Sequence, residues 1–137
     1  MDWVTVDETY VVAAMPTEIR ARYDTWAADP VKAARFAAIV RSIVDDFRTG
    51  LSANPSVEME DGDTLPERCL EHALTVIFYH LALEMGISIN MSAQTAFINA
   101  QTYMRQLYTS KAVVDGEKRS ETPSYAAPDR GVARVMA

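Results

Sequence analysis

Residues 66 to 86 read PERCLEHALTVIFYHLALEMG, the most apolar stretch of a 137-residue chain. Leu70, Ala73, Leu74, Ile77, Phe78, Leu81 and Met85 recur at intervals of three and four, and Val76 and Ala82 widen the same face. That period fits a helix and not a strand, and a face this wide predicts a central helix touched on several sides. Pro66 is placed to open it and Gly86 to close it.

Outward from this segment the same period returns on both sides. Towards the N-terminus, Asp29-Pro30 is a start signal, because the carboxylate caps free N–H groups and proline gives up a donor that would be orphaned there. The helix that follows carries Phe36, Ile39, Val40, Ile43, Val44, Phe47 and Leu51, with Gly50 and Asn54-Pro55 expected to end it. Two short helices precede it, one from Asp7 to Ala14 before Pro16 and one from Thr17 to Ala27 with Ile19, Tyr23 and Trp26 on one side. Trp3 and Trp26 are expected as anchors between elements. After Ser92 a last helix is expected to run to about Thr109, with Ala93, Ala96, Phe97, Ala100, Met104, Leu107 and Tyr108 inward. The fold class is therefore all-α: a small helical bundle over residues 1–111, followed by an extended C-terminal tail over 112–137.

The tail has prolines, glycines, small residues and charges of both signs, with no apolar period to form a face. Order there has to come from another chain. Tyr125, Val132, Val135 and Met136 are the candidate apolar anchors on a partner, with Arg130 and Arg134 meeting acids.

Charge and cysteine content narrow the function classes. The chain carries −6 overall, but residues 1 to 108 hold eight Lys/Arg against fifteen Asp/Glu, while 109 to 137 hold five against four. An acidic body lacks the cations that displace counterions from phosphates, so gripping of nucleic acid is not expected. One cysteine, Cys69, permits no internal disulfide and fits a reducing compartment. The start, MDWVTVDETY, has acids where a signal peptide needs a basic flank, and no run is long enough to cross a bilayer.

Catalytic and metal chemistry find little to stand on. Cys69 with His72, and His80 with Glu84, lie at one-turn spacings, but there is no second Cys/His pair and no Glu-x-x-His motif. Cys69 reads as a small buried residue and the histidines as helix-border positions. Asp45 and Asp46 are adjacent on a helix and so point apart, a poor arrangement for shared proton transfer. The loop acids Glu58, Glu60, Asp61 and Asp63 lack the alternation of a calcium loop and read as a solvated rim. No nucleophile elbow or phosphate-binding glycine loop occurs. No enzyme activity, no cofactor and no metal is expected.

The order of elements resembles the bacteriophage head-tail connector, or neck adaptor, proteins. The resemblance covers about residues 5 to 116 and rests on IVRSIVDDFRTGL, the proline-opened LPERCLEHALTVIFYHLALEMG, and AQTYMRQLYTSKAVVDG with its closing Lys and glycine turn. It implies a structural virion protein at the head-tail interface, made in the bacterial cytoplasm. Copies would form a homo-oligomeric ring, usually twelvefold, beneath the portal protein. The ring would extend the DNA channel, present a surface for the next neck or tail-completion protein, and use the extended tail to dock on the portal or a neighbouring copy. In that setting Glu58, Glu60, Asp61 and Asp63 are candidates to face the channel, where a negative wall lets DNA pass without holding it. Two other classes stay open: a helical partner-binding regulator whose tail folds on its target, and a metal-dependent helical enzyme using His72, His80 and nearby acids.

Overall fold

The computed structural model describes residues 2–109. Their order is β1 (Trp3–Thr5), α1 (Glu8–Ala13), α2 (Thr17–Trp26), α3 (Pro30–Ser52), β2 (Thr64–Pro66), α4 (Glu67–Glu84) and α5 (Met91–Tyr108). The helical bundle expected from the periodicity is present, with one small ribbon added to it.

Local chemistry explains the helix limits. The Asp7 side chain accepts the N–H of Tyr10 at 2.9 Å and that of Asp29 accepts the N–H of Val31 at 2.9 Å. Proline stands at the cap position of α2 and of α4, its extended backbone turning the chain into each helix. The start of α5 lies two residues earlier than expected, because Asn90 caps it by accepting the N–H of Ala93 at 2.8 Å. Gly86 ends α4 at φ +72°: its own N–H reaches Leu83 O and that of Ile87 reaches Ala82 O, the paired closure that glycine makes without a Cβ clash.

Helices α3, α4 and α5 run up, down and up. The start of α3 meets the end of α4 through Arg35 and Glu84 at 2.8 Å. Along α5, Phe97 stacks on Tyr79 at 3.7 Å and Tyr103 on His72 at 4.1 Å, so α5 is antiparallel to α4. Val44, Phe47, Leu51, Cys69, Ala73, Ile77, Leu81 and Leu107 are completely buried between the three. Helix α2 is pinned to α3 by an edge-on contact of Tyr23 with Phe36, ring centroids 5.3 Å apart, and Trp26 joins the same core as an anchor.

Three local expectations are corrected. Gly50 does not end α3 but lies inside it, and Asn54 carries the turn that follows, its side chain accepting the N–H of Ser56 at 3.0 Å. Ala93, Ala96 and Tyr108, expected inward, are exposed, because α5 buries fully only Ala100 and Leu107. Residues 3–5 and 64–66, where no strand was expected, pair antiparallel with Trp3 opposite Pro66. Segments of three residues show no alternation a sequence could reveal. Their pairing is decided by the buried side chains of Val6, Leu65 and Pro66, and by the closing bonds Val6 N–H to Asp63 O and Glu67 N–H to Asp2 O.

Candidate functional site

The chain between α3 and β2 folds around one cation. Arg48, on the last turns of α3, donates to Glu60 O at 2.6 Å, to Thr64 O at 2.7 Å and to Thr64 Oγ1 at 3.0 Å, and its guanidinium lies 5.9 Å from the centre of the Trp3 ring. Thr64 Oγ1 also donates to Asp61 O at 3.1 Å, closing the loop on itself. The backbone carbonyls are thus turned inward to the guanidinium. The side chains of Glu58, Glu60, Asp61 and Asp63 are all exposed. Gly62, at φ +79°, makes the tight reversal between the last two acids. A charged hydrogen bond to a carbonyl is worth about 1.5–3 kcal/mol, more than an exposed ion pair, so one arginine is enough to order a loop of like charges.

Sequence reasoning found the acids and missed the arginine. Arg48 sits at the border of the apolar face of α3, one residue from Phe47, and nothing in its spacing marks it as the organiser of a loop twelve to sixteen residues ahead.

The two ends of the bundle differ in chemistry. The acidic loop, the ribbon and the end of α5 at Thr109 lie together where α3 finishes and α4 begins. At the opposite end, where α3 starts, α4 finishes and α5 starts, Val31, Leu83 and Met91 are exposed apolar side chains. Between α2, α4 and the start of α5 runs an open groove of about 250 Å³, lined chiefly by apolar side chains, Ile19, Phe78, Ala82, Ile87 and Ile89 among them. The sequence carried a sign of this end: no residue between Glu84 and Arg105 is charged.

Cys69 and the histidines occupy the positions expected of structural residues. The Cys69 thiol is buried, 3.8 Å from the Tyr103 hydroxyl, and burial pushes its pKa up to about 11 against a smaller opposing effect of that hydroxyl. His72 stacks on Tyr103; burial lowers its pKa, with the neighbouring Glu71 carboxylate pulling the other way. His80 presents its ring edge-on to Phe97 and Tyr79. Glu84 is paired with Arg35, not with His80. Among the described residues no three His, Cys, Asp or Glu side chains gather as a metal site, and no helix is long and apolar enough to cross a membrane. The tail candidates Tyr125, Arg130, Val132, Arg134, Val135 and Met136 lie outside the described residues.

No protein-family model, curated protein or solved structure matches the chain.

Proposed function

We propose that the chain is a structural subunit of a phage-type head-tail connector, repeated in a ring beneath a portal protein, and that its role is assembly and not catalysis. The observation that carries this reading is the acidic loop held by Arg48 at one end of a bundle whose other end exposes apolar side chains. A part that sits between two unlike neighbours needs two unlike surfaces. A subunit that meets its neighbours through different faces builds a closed ring when the rotation between copies closes.

In the ring, Glu58, Glu60, Asp61 and Asp63 line or rim the DNA channel. Fixed carboxylates repel phosphates at short range and leave a water layer, which suits a passage that DNA crosses without being held. Residues 112–137 dock on the portal or on a neighbouring copy, with Tyr125, Val132, Val135 and Met136 as anchors and Arg130 and Arg134 facing acids. The next neck or tail-completion protein takes the free end, and the finished position is the neck of the virion.

The test mixes the purified full-length chain with purified portal rings and follows native mass and electron-microscope images. The connector reading expects one added ring of subunits on the portal. A chain that forms a small stable oligomer alone and leaves the portal bare overturns it in favour of a partner-binding regulator.

A further inference from the structure

The groove of about 250 Å³ between α2, α4 and the start of α5 is lined by Ile19, Phe78 and Ala82, with Ala93 and Ala96 as one wall. One stripe of α4 leads into it: Glu67, Glu71, Thr75, Phe78 and Ala82 follow at helical spacing, and the two acids at its start are exposed. That start lies beside the last turns of α5, where Tyr103 stacks on His72. At the far end of the groove, the backbone N–H groups of Ser88 and Ile89 donate to no acceptor among the described residues. The groove therefore offers apolar side chains, two open backbone donors and a single charged side chain, Glu18.

We infer that this groove is the seat of the chain's own C-terminal segment, with Tyr125 of the stretch TPSYAAP, residues 122–128, entering it in the free subunit. Reach is the first argument. The described chain ends at Thr109, and the way back to the level of Ala96 is the length of thirteen helical residues, about 20 Å. An extended chain covers that in about six residues, and Tyr125 follows Thr109 by sixteen, so the anchor arrives with length to spare. Tethering is the second argument: a segment on a short linker meets its own groove at an effective concentration on the order of millimolar, above that of any free partner in dilute solution.

The chemistry of the segment matches the groove. Tyr125 is the one aromatic residue after Thr109, and Phe78 and Tyr79 line the groove it would enter. Its neighbours Ala126 and Ala127 are small enough to let the backbone approach the Ser88 and Ile89 donors, and Pro123 and Pro128 restrict φ on both sides, which lowers the entropy lost on docking. Residues 122–137 carry Arg130 and Arg134 against Asp129, a net positive charge facing Glu18 in the groove and Glu67 and Glu71 on the approach. A consequence for assembly rests on the ring-subunit reading: the free subunit holds its own tail until a portal or a neighbouring copy competes for it.

The test is paramagnetic broadening in nuclear magnetic resonance of the full-length chain, isotope-labelled and carrying a nitroxide on S124C. Cys69 is buried and stays unmodified. The amide signals of Ile19, Ile87, Ile89 and Ala93 should broaden, and those around Arg41 on α3 should not. Adding Y125S, or A93K on the exposed wall of the groove, should remove the broadening with helical circular dichroism unchanged. S42K, at an exposed position on α3 with the same change of charge, should leave it in place. Even broadening over the whole surface, none at the groove, or broadening that survives Y125S and A93K overturns the inference. In a mixture, nitroxide chains without isotope should leave isotope-labelled chains without nitroxide unbroadened; broadening there gives the groove to the tail of a second copy and overturns the inference too.

The two readings fail separately. Groove broadening in a chain that leaves the portal bare keeps the contact and removes the connector, whereas ring formation by a chain with no groove broadening keeps the connector and removes the contact.

Discussion

The ring of Tyr108 lies against Gly50: a Cβ added to that glycine would stand 3.1 Å from Tyr108 Cδ1 and 3.0 Å from Leu107 Cβ. The same tyrosine donates its hydroxyl to Asp46 O at 3.0 Å, so the last turn of α5 is keyed into α3 at the one residue without a side chain. Helix propensity favours alanine over glycine by about 1 kcal/mol. At this position the gain is opposed by contact with a Cβ that only a shift of α5 can move. Gly50→Ala is therefore expected to give no increase in melting temperature, and Gly50→Leu to lower it, with a stability loss typical of overpacking, about 1–3 kcal/mol. A stabilised Gly50→Ala in thermal unfolding would mean that α5 stands off from α3.

Leu81 is completely buried on α4. Leu81→Ala should cost about 2–5 kcal/mol through lost burial and a cavity its neighbours fill only in part. Chemical denaturation reads this directly, and an unchanged midpoint would remove α4 from the centre of the fold.

Arg48→Met keeps much of the stem that packs near Trp3 and removes the donors to Glu60 O, Thr64 O and Thr64 Oγ1. Three carbonyl and hydroxyl acceptors lose a charged partner, but they lie near water, so the expected cost is about 1–3 kcal/mol and not the sum of three bonds. The loop should become the first site of limited proteolysis, with cleavage between 56 and 63 while the helices stay intact. Equal protease resistance in the variant would show that the ribbon, and not the arginine, orders the acids.

The Cys69 thiol gives a signed pH dependence. Its pKa is raised from 9.0 to about 11 in the folded chain by burial. Below pH 9 both folded and unfolded thiols are protonated and the stabilisation is fully present. As pH rises from 9 to 11 the unfolded thiol ionises first, and stability falls by about 1.4 kcal/mol per pH unit across that window. Cys69→Ala should flatten this segment of the stability curve at some cost in packing. His72 acts at the other end: its lowered pKa means stability present above about pH 6.5 and lost as pH falls, so His72→Gln should soften acid unfolding.

Every residue of the described core cluster lies between Val6 and Leu107. A chain ending at Thr109 should therefore melt within a few degrees of the full-length protein while failing to add to portal rings. Arg130→Glu with Arg134→Glu should weaken that addition less than truncation, because the apolar anchors remain. A truncated chain that unfolds, or that completes the ring as well as full length, would take the docking role from residues 112–137.

The sequence by itself determined the helices and most of their inward faces. Period, capping side chains and glycine stops are local, so Asp7, Asp29 and Gly86 act in the fold as their types require, and Ile77 and Leu81 are buried as their spacing on α4 demands. Cys69 was legible as a small buried residue and the loop acids as solvated for the same reason: each follows from a side chain's preference for or against water. What the sequence did not contain was which elements meet. Three-residue strands are shorter than any period, and Gly50 reads as a stop until Tyr108 is seen lying on it. Alanines at helical spacing read as a packing face until α5 proves to bury only Ala100 of them, leaving Ala93 and Ala96 outside. Arg48 shows the limit best, since its partners are backbone carbonyls, which every residue has, and only the path of the folded chain brings those of Glu60 and Thr64 within reach of one guanidinium.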